Sequence, residues 1–210
     1  MSRIRKHICL GSRLVLLLLL LSCLSPGPKF PSGKPEALVD LYSTVPGNPS
    51  IVIWKSHYTV TLYKGTTPVK TYRAVFGKGH GNGDKMEQGD KRTPEGEFYI
   101  CTMNHSKRFY KFMGLSYPDW PHAKRGFQDG LITTKEYAEI EKALEERRQP
   151  PWDTKLGGAV GIHGRMLDAP SGGTGRGSEN WTDGCIALAN TDVDEIFGVV
   201  SLGTTVIILP

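Results

Sequence analysis

The sequence predicts a mainly β fold, a β-rich α+β domain, and three observations carry that prediction. Short runs dense in β-branched and aromatic residues recur from Ile51 to the last residues. Only one segment of the body, Thr133 to Arg148, carries both the caps and the one-sided apolar spacing of a long helix. No break in composition divides residues 51–210 and no internal repeat runs through them, so one domain holds every element.

In chain order, residues 1–23 read as a secretory leader. Arg3, Arg5, Lys6 and Arg13 precede an unbroken apolar run of eight residues, Leu14 to Leu21. A bilayer span needs roughly 18 apolar residues, so the run is the core of a signal peptide and not an anchor. It closes on Leu20-Leu21-Ser22-Cys23, which resembles the lipobox of bacterial lipoproteins and makes Cys23 a candidate lipidated N-terminus; the alternative is plain cleavage a few residues further on. Either way the protein is expected in the cell envelope or periplasm. The net charge of +5 falls to +1 once the four leader cations are removed, which leaves no electrostatic footprint for nucleic acid. Residues 24–50, with Pro26, Pro28, Pro31, Pro35, Pro46 and Pro49, read as an extended tether.

The body, residues 51–210, opens with two strands, Ile51 to Trp54 and Thr59 to Tyr63, turning at Ser56-His57. Val69 to Phe76 gives a third strand and Glu97 to Thr102 a fourth. Gly77 to Pro94 is glycine-rich and charged, matches no phosphate-binding glycine pattern, and reads as a long solvated loop. The inserted helix is capped by Thr133 or Thr134, buries Tyr137, Ile140 and Leu144, and stops at Pro150-Pro151. A short helix from Thr191 to Phe197 and a strand from Thr205 to Leu209 end the chain.

Two glycine-framed segments carry the chemistry: Gly161-Ile162-His163-Gly164 and, 22 positions after the histidine, the Cys185 of Trp181-Thr182-Asp183-Gly184-Cys185-Ile186-Ala187. Each joins a short apolar run, which places both side chains at strand ends facing a cleft. A thiol attacks a carbonyl once a base removes its proton, and small neighbours let backbone N–H groups reach the oxyanion. Cys185 is therefore the expected nucleophile and His163 the proton acceptor and donor. The N–H groups of Gly184 and Cys185 are the expected oxyanion donors, and an imidazolium beside the thiol is expected to lower its pKa. Cys101 is the only other cysteine of the body, so a Cys101–Cys185 disulfide is the structural alternative. The scattered histidines give no metal-ligand spacing, and no metal or cofactor is expected.

Taken together, Phe76-Gly77, Gly89-Asp90-Lys91-Arg92-Thr93-Pro94-Glu95-Gly96, Leu115-Ser116-Tyr117-Pro118, Gly161-Ile162-His163-Gly164 and Thr182-Asp183-Gly184-Cys185-Ile186 resemble the L,D-transpeptidase catalytic domain, also called the YkuD domain. The resemblance implies a single β-sandwich-like domain with an inserted helix and a short helix after the cysteine. It implies peptidoglycan stem peptides as partners, an acyl-enzyme formed at the third residue of a tetrapeptide stem, and a Gly164 carbonyl that orients His163. The acceptor is then another stem's amine, a lipoprotein lysine or water, so a peptidoglycan hydrolase is the second reading and a non-enzymatic binding module the third. The chain departs from the family pattern at Asp183 and at Ala187, where many members carry an arginine. Arg165 and Arg176 are candidates to hold a substrate carboxylate in its place. Tyr117 and Trp181 are expected to flank the cleft as substrate-binding residues, and Asp183 to face the acyl carbon.

Overall fold

A computed structural model describes residues 47–165 and 180–210. The expected leader, Cys23, nearly all of the tether and Arg176 lie outside the described residues.

The first four strands fall close to where the sequence places them. β1 (Pro49–Trp54) and β2 (Thr59–Lys64) pair antiparallel, with Ile51 opposite Leu62 and Ile53 opposite Val60. Those four side chains are fully buried while Trp54 is exposed, the alternation that a half-buried strand requires. β3 (Thr67–Arg73) follows on the outside of β2, and β4 (Gly96–Ser106) is longer than expected. β5 (Tyr110–Leu115) completes a hairpin with β4 that sequence periodicity did not reveal. β6 (Gly161–His163), β7 (Ile186–Ala187) and the terminal β8 (Thr205–Leu209) complete one sheet in the order β3-β2-β1-β8-β4-β5-β6-β7. The pairs β1–β8 and β6–β7 are parallel and the others antiparallel.

The sheet curls until its two ends meet. Just past β3, Val75 bridges Ala187 of β7, and Gly77 bridges Thr182. Inside the curl, Ile51, Ile53, Leu62, Phe76, Phe98, Ile162, Ile186 and Ile208 belong to one apolar core. Between β5 and β6 the chain makes two helices. The expected one, α2 (Thr134–Glu145), has a full capping box in which Thr133 and Glu136 bond each other's backbone. A second, α1 (Trp120–Gln128), precedes it and starts at Asp119, which accepts from the His122 N–H. Ala123 of α1 and Ile140 and Leu144 of α2 pack with Ile132, Leu156 and Tyr99 in a separate cluster outside the curl. α3 (Asn190–Phe197) follows β7, as expected.

The Gly77 to Pro94 stretch is not a solvated loop, contrary to the expectation from its composition. The Asp90 carboxylate accepts from the N–H groups of Met86, Glu87 and Arg92 and pairs with Lys85 at 2.7 Å. Asp84 accepts from the N–H of Glu95, from His122 Nε2 at 3.0 Å and from Arg125 at 3.1 Å. His122 Nδ1 in turn bonds Asp119. Lys55 and Lys85 are both nearly sealed from water, Lys55 against Glu95 and the carbonyls of Thr93 and Gly83. Short-range carboxylate bonds to successive N–H groups do for this segment what a helix or ladder does elsewhere.

Candidate active site

β6 and β7 bring the glycine-framed histidine and cysteine side by side. Their parallel register sets Ile162 opposite Ile186, and both of these side chains enter the core. Side chains alternate along a strand, so His163 and, one step before β7, Cys185 share the opposite face. Gly161 is required here because a Cβ at that position would lie 2.4 Å from the Phe112 ring and 2.6 Å from the Met113 carbonyl.

The imidazole is fixed by its neighbours. The Gly164 carbonyl lies 2.6 Å from His163 Nδ1. A carbonyl only accepts, so Nδ1 carries the proton and Nε2 keeps its lone pair. Phe109, at the β4–β5 turn, stacks on the ring with centroids 4.3 Å apart, and Trp181 meets it edge-on at 5.7 Å. Burial pushes His163 below the usual histidine pKa; the Gly164 carbonyl works against that, and the charge of Arg108 adds to it.

Cys185 is a free, partly buried thiol that donates to the Ala159 carbonyl at 3.5 Å. Burial raises its pKa, the Gly161 N–H opposes the shift, Asp183 adds to it, Lys85 opposes it, and the thiol ends at about 11. Both shifts run against the expected imidazolium–thiolate pair. Burial penalises the charged form of either group. The alternative disulfide is not formed: Cys101 is also free and donates to the Gly114 carbonyl, and burial pushes it up to about 12.

The other expected site residues divide. Trp181 lies beside His163, as described. Asp183 is well exposed and pairs with Lys78 at 3.5 Å across the Gly77–Thr182 bridge, on the Cys185 side of the site. Arg165 is exposed at the end of β6, where its N–H donates to the Asn190 side chain. Tyr117 does not line a cleft: it has no exposed surface, and its hydroxyl donates to the Leu156 carbonyl at 3.1 Å. The expected Gly184 oxyanion donor is also corrected, because that N–H donates to Thr182 Oγ1 at 3.2 Å. Arg108, Phe109 and the Ala159 carbonyl were not foreseen. A turn reading Ser106-Lys107-Arg108-Phe109 holds no local signal that it will fold against a histidine more than fifty positions away.

The comparisons agree with this architecture. The family model of the L,D-transpeptidase catalytic domain, YkuD, matches residues 48–208. The chain belongs to the L,D-transpeptidase catalytic-domain family. Among solved structures it is similar to the helical cell shape determining protein Pgp2 from Campylobacter jejuni, in a point-mutant form. That match has a TM-score of 0.51 and 18% identity, and covers 83% of this chain and 54% of that one. It is also similar to Bd1075 from Bdellovibrio bacteriovorus, with a TM-score of 0.50, 14% identity, and coverage of 78% and 48%. A third match, the L,D-transpeptidase from Xylanimonas cellulosilytica, has a TM-score of 0.46 and 12% identity, and covers 79% and 62%. At these identities the likeness is one of fold, and the chain spans only about half to three fifths of those proteins' lengths. No curated protein matches it in sequence.

Proposed function

We propose that this protein is a peptidoglycan L,D-transpeptidase that works through an acyl-enzyme on Cys185. The observation that carries the reading is the His163 imidazole, held with Nδ1 protonated by the Gly164 carbonyl on the strand beside Cys185. A neutral base next to a neutral thiol suits concerted proton removal. His163 Nε2 takes the thiol proton as sulfur attacks the carbonyl carbon of a tetrapeptide stem at its third residue. The Cys185 N–H then faces the developing oxyanion, and one such donor is worth on the order of 3 kcal/mol. Collapse breaks the C–N bond, and the imidazolium returns its proton to the departing amine. An incoming stem amine then attacks the thioester as His163 removes its proton, the C–S bond breaks, and the imidazolium returns that proton to the departing thiolate, which restores the thiol.

On this reading the chemistry takes place in the cell envelope, with residues 1–23 as the export signal, residues 24–50 as the tether and Cys23 as a lipid attachment point. No helix among the described residues is long and apolar enough to cross a membrane. The test is to incubate the protein with muropeptides and identify products by mass spectrometry. Cross-linked dimer from the wild type and none from Cys185→Ala is the expected result; free acid as the main product would make the protein a hydrolase. Detergent partitioning of wild type against Cys23→Ser tests the lipid anchor.

A further inference from the structure

The β4–β5 turn holds a guanidinium close to the proposed base. The Ser106 hydroxyl accepts from the N–H groups of both Arg108 and Phe109, at 3.2 and 3.0 Å. Across the turn, the Tyr110 hydroxyl and Lys111 both bond Asp194 of α3, at 2.9 and 2.6 Å. The turn is thus pinned on two sides. From it the Arg108 guanidinium lies over the Phe109 ring, 4.8 Å from its centroid, and that ring is the one stacked on His163. Arg108 is exposed and has no carboxylate partner among the described residues. The neighbouring cation Lys111, by contrast, is tied to Asp194.

On the acyl-transfer reading, a cation with no carboxylate partner among the described residues works against the base. His163 must become an imidazolium when it takes the thiol proton, and the Arg108 charge disfavours that state. A negative group bound at Arg108 removes the opposition at the moment the base needs it. Guanidinium suits a carboxylate, which it engages through two parallel N–H bonds.

We propose that Arg108 is a specificity-determining residue that binds a free carboxylate on the acyl-donor peptide, so that donors with that carboxylate are preferred over donors with it capped as an amide. This rests on the acyl-transfer reading above.

The test uses the full chain and matched synthetic tetrapeptide donors that differ only in carrying carboxylate or carboxamide groups. Wild type is expected to favour the carboxylate donor by about tenfold in kcat/KM. Arg108→Gln is expected to lose that preference, mainly by a raised KM for the carboxylate donor, and Arg108→Lys to keep part of it. The same donors are titrated against Cys185→Ala with and without Arg108→Gln, read by Trp181 fluorescence. This binding arm separates the two readings. Turnover of neither donor, with binding that favours carboxylate only when Arg108 is present, overturns the transpeptidase function and supports the Arg108 site. Equal treatment of the two donors by the wild type, a preference that survives Arg108→Gln, or one that disappears in Arg165→Gln instead, overturns the Arg108 assignment.

Discussion

Burial disfavours the charged form of both Cys185 and His163, and this makes a measurable distinction. A thiol held at about 11 is alkylated only through its small thiolate fraction. The rate of iodoacetamide labelling at Cys185 should climb about tenfold per pH unit from about pH 7 to 9 with no plateau. A plateau below about pH 8 would show a stable thiolate and refute the neutral pair. Under the same conditions His163→Ala should barely change that curve while abolishing turnover. Tyr117→Phe should lower stability by about 1 kcal/mol, the value of one buried hydrogen bond, and leave the donor KM unchanged; a raised KM would return Tyr117 to the cleft. The thiol and the imidazole were legible because glycines frame each of them locally. Their protonation was not, since it depends on how deeply the folded chain buries them, and neither was Arg108, which reaches the site only through β4–β5 pairing.

Among the elements, the Gly77 to Pro94 segment has the most direct hold on the nucleophile. Gly184 has φ +133°, and a Cβ there would lie 2.9 Å from the Arg92 carbonyl of that segment. Gly184→Ala should therefore destabilise the fold and slow Cys185 acylation together, checked by thermal denaturation and labelling; a variant of wild-type stability and activity would refute the contact. Thr133→Ala removes half of the α2 capping box and should cost about 1 kcal/mol without touching the reaction. That cap was readable from residue types alone. β5 was hidden because Met113, Gly114 and Leu115 are buried in succession, so the strand lacks alternation. α1 was hidden by Pro121, by Gly126 packed against Leu156, and by a buried His122 where an apolar residue would have marked the inner face. The charged loop misled because carboxylates that read as solvated are bonded to main-chain N–H groups, a pairing that composition does not reveal.

Over the whole molecule, the Asp119–His122–Asp84–Arg125 cluster joins α1 to the loop that shapes the site. Burial alone would lower the His122 pKa, but its bonds and charge interactions with Asp119 and Asp84 outweigh that and raise it. Asp84 is likewise opposed by burial, yet the bonds from His122, the Glu95 N–H and Arg125 hold it at about 2. A raised histidine stabilises the fold fully below its unfolded pKa of about 6.5 and loses that contribution as pH rises through the folded value. The Tm gap between wild type and His122→Gln should therefore be widest below about pH 6 and narrow toward pH 9. The Asp84 contribution is present above about pH 4 and fades as pH falls toward 2. A gap that widens with rising pH would show that His122 is buried uncharged. The fold class and the order of most elements were legible because strand runs and turn residues are local. The closure of the sheet was not, since nothing in either segment alone marks Val75 and Ala187 as partners.

That closure makes catalytic competence a late event in the life of the chain. β7 is only two residues long, and the bonds from Val75 that hold its outer edge join positions more than a hundred residues apart. Pairings of such span form late, because a long stretch of chain must be ordered before they are rewarded. A chain still unfolded has no assembled thiol–imidazole pair, and no fragment lacking either end of the curl can make one. Refolding followed by two probes should show it: strand signal returning first, and Cys185 reactivity toward an acyl donor only in the final phase.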